Sequence, residues 1–246
     1  MRERSSQRLA LLAALPQECS AILDWSGWRR LEASQGLSIY GLQREARSLR
    51  LAVGGMGGDR ARAALGSLVK DYAPTRLISI GFAGALDPGL RVGDVVVGTR
   101  VFMWRARGQL VPGRGLECPW EGSGFKNASV VSAPGLVSKL EVLRDLDRQW
   151  LPAVLDLETF TLAQEAEEKG IPFSSIRAVS DEWDMDVGPR IEGMLGEDLV
   201  IKPSRMMLRL ISRPWESVLL WRLLRRSRVA ARGLGNALFH VLVGSS

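Results

Sequence analysis

The chain has 246 residues, 46% of them hydrophobic and 24% charged, which suits a globular protein with one large α/β domain or two small ones. Its net charge is +6, but residues 203–246 hold eight Arg and one Glu, so that segment carries +7 and the rest of the chain stands near neutral at −1. Two Cys (Cys19 and Cys118) and a single His (His240, near the end) leave no disulfide framework, no Cys/His metal cluster and no partner for Ser–His or Cys–His catalysis, so the acids and bases of any enzyme here are carboxylates.

Residues 1–7 are polar, and Leu9 to Leu15 is apolar. Seven apolar residues are too few for a transmembrane helix and lack a signal-peptide cleavage pattern, so they read as a first strand and the expected location is cytoplasmic. Pro16 suits the first position of a helix running to about Trp25, which puts Glu18 in its first turn at the carboxyl end of that strand. On position alone, Glu18 is a surface residue that complements the helix dipole. Leu37–Leu42 and Ser48–Val53 read as two strands of a hairpin or meander. Gly54-Gly-Met-Gly-Gly58 follows and leads into a helix from Asp59 to Val69. Strand, glycine-rich turn and helix form a candidate anion or ribose cradle around Gly55, Met56 and Gly57, although such turns are often only tight turns.

Thr75–Ile80 is the next strand, ending in a Gly81-Phe-Ala-Gly84 turn, and Val95–Val97 is another. Trp104 to Lys126 is rich in Gly, Pro and Trp and reads as a long loop, either a functional lid or a passive insertion. Ala128–Ser132 is a strand, after which Pro134 opens a helix to about Leu146. From Ala153 to Asp184 the pattern is strand, helix, strand in about thirty residues, the size of a βαβ unit. Asp156 and Glu158 sit where its first strand ends and Asp181 where its second ends, at the carboxyl edge where open α/β sheets bind ligands. Residues 185–202 read as loop and short helix, and Ser204–Ile211 as helix. Pro214 then starts a stronger helix, Trp215 to Arg232, with Arg222, Arg225, Arg226 and Arg232 able to share one face and Leu219, Leu220, Leu223 and Leu224 the other. It is either a cap on the sheet with solvated arginines or a basic amphipathic helix on an anionic membrane or a partner, and the apolar end Leu238–Val243 adds weight to the second reading. No internal repeat or low-complexity linker divides the chain. The expectation is one domain over 1–246 with a basic C-terminal helical segment at about 204–243.

Five segments, in order, resemble the nucleoside phosphorylase and nucleosidase superfamily: Ala13-Ala-Leu-Pro-Gln-Glu18, Gly54-Gly-Met-Gly57, Ser79-Ile-Gly-Phe-Ala-Gly-Ala-Leu86 with Val92-Gly-Asp-Val-Val-Val97, Asp156-Leu-Glu158, and Arg177-Ala-Val-Ser-Asp181. The resemblance implies a single α/β domain with a central mixed β-sheet flanked by helices, and cleavage of the N-glycosidic bond of an adenine-type nucleoside. It casts Asp181 as the acid that protonates the departing base, Glu158 as the carboxylate that holds the ribose hydroxyls, and Glu18 as the group that orients and deprotonates the attacking water. That role replaces the surface reading of Glu18. Phe82, Ala83 and Gly84 would line the base and ribose site, with Leu157 and Asp156 beside the sugar. The scheme requires Asp181, Glu158 and Glu18 to converge in one cleft.

Phosphorylases of the bacterial purine type carry an Arg where this chain has Ser79 and a Ser where it has Phe82. Their absence, with a Glu at 18, favours water over phosphate as nucleophile. Gly55, Arg60 and Arg62 remain the candidate phosphate contacts, so phosphate is the alternative co-substrate. No cofactor and no metal is implied. The Gly-Met-Gly turn with its Arg-Ala-Arg-Ala-Ala helix, the Ser-Ile-Gly-Phe-Ala-Gly segment and the Arg-rich C-terminal helix also resemble the hopanoid-biosynthesis-associated phosphorylases, which implies an adenosyl group carried on a polycyclic lipid. Nucleic acid is not an expected partner, because the basic charge is confined to one segment. A homo-oligomer and a peripheral membrane contact through the C-terminal helix are expected. A non-catalytic nucleoside- or lipid-binding relative is the competing reading.

Overall fold

The structure is a computed structural model, described here for residues 7–34, 36–44, 47–70, 72–105, 108–120, 125–186 and 216–242. The expected elements between 187 and 215 lie outside these residues.

Ten strands form one mixed sheet: β1 (Gln7–Ala13), β2 (Arg29–Ser34), β3 (Leu37–Arg44), β4 (Arg47–Val53), β5 (Arg76–Ala85), β6 (Val95–Arg105), β7 (Gln109–Gly115), β8 (Lys126–Ser132), β9 (Ala153–Asp156) and β10 (Phe173–Asp181). The helices are α1 (Pro16–Leu23), α2 (Gly58–Lys70), α3 (Lys139–Asp145), α4 (Thr159–Glu168) and α5 (Glu216–Leu242). The central strand β1 shows why the layers form. Leu9 and Leu11 pack with Cys19 and Ile22 of α1 and Leu234 and Leu238 of α5. Ala10 and Leu12 pack on the other face with Leu65 and Leu68 of α2. A strand covered on both faces reads as a continuous apolar run because neither parity meets water. The mixed sheet flanked by helices matches the sequence expectation.

One feature is not legible in the sequence. Strands β5, β10, β6, β8 and β9 pair successively and close back on β5, while β1, β4, β3 and β2 continue as an open wing. Strand β5 belongs to both parts. One edge pairs with β10 from Leu77 to Gly84, and the other pairs with β1 only at Arg76–Ser79 and with β9 only at Gly84–Ala85. Between those stretches, β1 and β9 part company along β5.

Four sequence expectations change. Gly81–Gly84 is not a turn: β5 runs through it, and the glycines admit neighbouring side chains, since a Cβ at Gly81 would lie 2.8 Å from Glu18 Oε1 and one at Gly84 2.5 Å from Lys139 Cε. The long loop at 104–126 largely resolves into strand: β6 extends to Arg105 and β7 pairs antiparallel with it. Pro112 and two glycines, Gly113 and Gly115, hid β7, and such residues are tolerated at a sheet edge. Helix α3 begins at Lys139 and not at Pro134, because Asp186 accepts from the Ser138 hydroxyl and the Lys139 amide at its start. Strand β2 went unread because its RRLEAS sequence carries charges typical of an edge strand.

Helix α5 is longer than expected and takes in the apolar end, whose Leu238, Val241 and Leu242 join the core. Its C-terminal half is anchored through small residues: a Cβ at Gly233 would lie 2.7 Å from the Gly93 carbonyl and one at Gly235 2.5 Å from Ala21 Cβ. Gly235→Val therefore has to push α5 off α1, and its expected cost is about 1–3 kcal/mol by overpacking. Gly66, on α2 with open space around its Cβ position, gives the opposite outcome: Gly66→Ala should stabilise by about 0.5–1 kcal/mol. Denaturant unfolding of both variants checks the pair.

Candidate functional site

At the end of β1 the chain turns into α1, and Glu18 folds its carboxylate back under that turn. Oε2 accepts from the Ala14 and Leu15 amides, both at 2.8 Å, and Oε1 accepts from the Phe82 amide of β5, also at 2.8 Å. The Phe82 amide lies where β1 and β9 have separated, so a side chain takes the place of a strand. Glu18 is 5% exposed and is no surface helix-dipole residue. Burial raises its pKa above the ordinary carboxylate value, against the lowering effect of the Leu15 and Phe82 hydrogen bonds.

Glu158 precedes α4 and donates its position to the same cleft: its Oε1 accepts from the Gly57 amide at 2.7 Å. Gly55 and Gly57 adopt φ of 92° and 94°, the left-handed region that glycine enters without strain, and this aims the Gly57 N–H at the carboxylate. The glycine cradle thus holds a protein carboxylate here. Burial, and then repulsion from Asp156, push Glu158 up to about 8, with Glu18 adding to the rise. Glu18, Glu158, Gly55, Gly81, Ser79 and Arg177 line one pocket.

Beneath the pocket lies an ion pair that supports it. Arg177, 2% exposed, donates from Nε to Asp156 Oδ2 (2.8 Å), from one terminal nitrogen to Ser79 Oγ (2.7 Å) and Thr159 Oγ1 (2.6 Å), and from the other to the Ile176 carbonyl (3.1 Å). Asp156 also accepts from Ser132 Oγ at 2.5 Å and from the Thr159 hydroxyl. Its carboxylate, expected beside the sugar, is instead 5% exposed and turned into this network. Removing one partner of such a pair typically costs about 3–5 kcal/mol because it strands a buried charge. An Arg following Ile176 in the fully buried Phe173–Val179 stretch is a signal for this pair, since a buried guanidinium needs an acid opposite it.

Asp181 stands apart from the pocket lining. A bulge at Ser180 shifts the register of β10 so that Asp181 faces Gly84 of β5, two residues beyond the amide that binds Glu18. Its Oδ1 accepts from Ser180 Oγ at 2.6 Å, and its Oδ2 forms an ion pair with Lys139, which is 4% exposed and also donates to the Glu182 carbonyl at 2.8 Å. Lys139 was not singled out in the sequence, where nothing in the Ser138–Asp145 helix marks it as facing an acid. The expected convergence is therefore partial: Glu18 and Glu158 share the pocket, and Asp181 lies at the adjoining position on the carboxyl end of β5. Phe82, Ala83 and Gly84 lie between the two positions on β5. Leu157 packs against the apolar cluster around Leu86 and Val131, and Met56 is partly exposed on the glycine turn. Arg62 points away, bonded to Glu165 at 2.6 Å, while Arg60 lies over Gly55, whose Cβ position is 2.9 Å from its guanidinium.

The raised Glu158 has a consequence for stability. With a folded pKa of about 8 against an ordinary 4.5, the folded state holds a proton that the unfolded state has lost between those values, so stability falls as pH rises across that window. Glu18, also raised, adds to the same slope. Glu158→Gln should flatten the dependence, giving a melting temperature closer to the wild type at the acidic end of the window and above it at the alkaline end. Thermal melts across the window measure this.

A sequence model of the phosphorylase superfamily matches residues 8–120. A 5'-methylthioadenosine/S-adenosylhomocysteine nucleosidase of Marinomonas sp. (strain MWYL1) is 30% identical over 93 residues, 38% of this chain and 40% of that protein. The enzyme of the same name from Actinobacillus succinogenes is 25% identical over 217 residues, 76% of this chain and 91% of its own. Among solved structures, the 5'-methylthioadenosine/S-adenosylhomocysteine nucleosidase of Neisseria meningitidis in complex with methylthio-immucillin-A superposes with a TM-score of 0.64 at 20% identity, covering 94% of this chain and 97% of its own. Futalosine hydrolase of Helicobacter pylori gives 0.68 at 12% identity, covering 95% and 97%. At these identities the superpositions establish the common fold.

Proposed function

We propose that the chain cleaves the N-glycosidic bond of an adenine-type nucleoside, with water as nucleophile and Glu18 as its base. The observation that carries this reading is the Glu18 carboxylate, buried and fixed by three backbone N–H groups in the pocket it shares with Glu158. An ionised carboxylate offers about four lone-pair sites. Three are engaged, so one remains on Oε1 to accept a proton from water. Burial raises the basicity of that oxygen, the direction a general base needs. Glu158, with one oxygen on Gly57, is free at the other to bond sugar hydroxyls, and its ionisation would stabilise positive charge developing on the sugar. Asp181 takes the acid role at the base: the glycosidic electron pair moves to the leaving base as a proton reaches its ring nitrogen, and the Lys139 ammonium in contact with Asp181 can restore that proton. The nucleosidases and the hydrolase among the similar proteins support this reaction class.

The finer reading is a nucleoside whose 5' side carries a lipid, in a cytoplasmic protein that touches the membrane peripherally and works as a homo-oligomer. Its support is the resemblance given above and the character of α5. Phosphate as nucleophile is the second reading, favoured by the position of Arg60 over Gly55, which lines the pocket.

Adenine release from 5'-substituted adenosines, measured with and without phosphate, tests the proposal. Release without phosphate is expected, reduced by about 10²–10⁴ in kcat in Glu18→Gln and in Asp181→Asn. Release that requires phosphate would make phosphate the nucleophile, and a Glu18→Gln protein with full activity would remove Glu18 from the mechanism.

A further inference from the structure

We infer that the exposed face of α5 docks on an anionic lipid bilayer. Residues 221, 225, 228 and 232 recur at the spacing of one helix face. They are Trp221 and three arginines, all exposed, and Leu224 and Arg222 flank them. Trp221 is 60% exposed and Leu224 51%, an unusual state for large apolar side chains on a helix whose opposite face, Ala230, Leu234 and Leu238, is fully buried. Arg225 lies 5.7 Å from the Trp221 ring. The helix contains five arginines and one acid, Glu216.

Trp183 stands on the segment after β10 that α5 contacts. It is 40% exposed and follows Asp181 by two residues. Arg226 reaches across from α5 to the same segment, donating to Met185 Sδ at 2.6 Å and pairing with Glu182 at 3.9 Å. Glu182 also faces Arg91 at 3.8 Å, so it already has two cationic partners. Among the described residues, Arg222, Arg225, Arg228 and Arg232 form no ion pair.

Charge and side-chain type select the occupant. Trp seats at the headgroup level, arginine stems lie along apolar surface with their heads among phosphates, and anionic leaflets attract such helices. On α5 four arginines interleave with the exposed Trp221, Leu224, Val229 and Phe239, the mixed basic and apolar face of a helix that lies in an anionic interface. No helix among the described residues is long and apolar enough to cross a membrane, so the contact is peripheral. The surface stands independently of the reaction proposed above; only its service to a lipid-tailed nucleoside rests on that reading.

Sedimentation of the full chain with vesicles of phosphatidylcholine, alone or mixed with phosphatidylglycerol, tests the inference without any nucleoside. Binding to the mixed vesicles alone is expected, weakening with salt. Reversing two charges in Arg225→Glu/Arg228→Glu should lower partitioning by at least about tenfold, and Trp221→Ser should lower the part that survives high salt. Both variants change exposed residues, and unchanged thermal melts confirm their folding. Equal binding to both vesicles, no binding to either, or binding indifferent to the arginine variant would overturn the inference. So would self-association that Trp221→Ser abolishes, which would make a second copy of the chain the occupant. Cleavage of water-soluble adenosines without vesicles should be unchanged in the arginine variant. Vesicle binding with no cleavage by any form would leave the surface standing and remove the proposed reaction.

Discussion

Strand β5 is held along one edge by β10 and divided along the other between β1 and β9, and the candidate chemistry gathers where those two neighbours separate. A strand edge with no partner strand needs another acceptor for its amides. Here the acceptor for Phe82 is the Glu18 carboxylate, which also ties together the two amides that end β1. The arrangement makes Glu18 structural and chemically available at once. Its position is set by backbone on two strands, and rotamer freedom plays little part. The glycines of β5 belong to the same constraint, since a side chain at 81 or 84 would occupy the space of Glu18 or of the Lys139–Asp181 pair.

Burying acids at one sheet edge has an electrostatic cost, and the two parts of the site meet it differently. The Asp156–Arg177 pair compensates its charge fully, with hydroxyls of Ser79, Ser132 and Thr159 saturating the geometry. Among the described residues Glu158 has no such cation in contact, and its pKa rises. A paired acid is a poor proton acceptor and a good scaffold, whereas an unpaired, desolvated one is responsive to a ligand's charge.

Much of the central fold was legible because β1, β4, β10, α2 and α4 carry plain apolar patterns and clear glycine or proline punctuation. The pieces that escaped did so for identifiable reasons. Edge strands β2 and β7 have little apolar periodicity to read, and α3 is started by Asp186 from a distance of 47 residues. Closure of the sheet through β5, β10, β6, β8 and β9 follows from pairings between strands far apart in sequence. At the site, Glu18 and Glu158 were found through short motifs whose residues proved to share a pocket. Asp156 and Lys139 could not be sorted in advance, because whether a carboxylate or an ammonium faces a ligand or a buried partner depends on which strand lies opposite, and no local spacing carries that information.

The central claim is that the geometry of Glu18 against β5 is what makes the pocket reactive. Gly81→Ala tests it most directly, because the new methyl meets the far end of the Glu18 side chain, 2.8 Å from Oε1, and little else can relieve the contact. Steady-state adenine release by this variant, alongside its melting temperature, should show kcat reduced by roughly the factor of 10²–10⁴ that a displaced general base loses, in a protein that still folds but melts lower, because the displaced carboxylate loosens its hold on buried amides. Full activity in a folded Gly81→Ala protein would contradict the account.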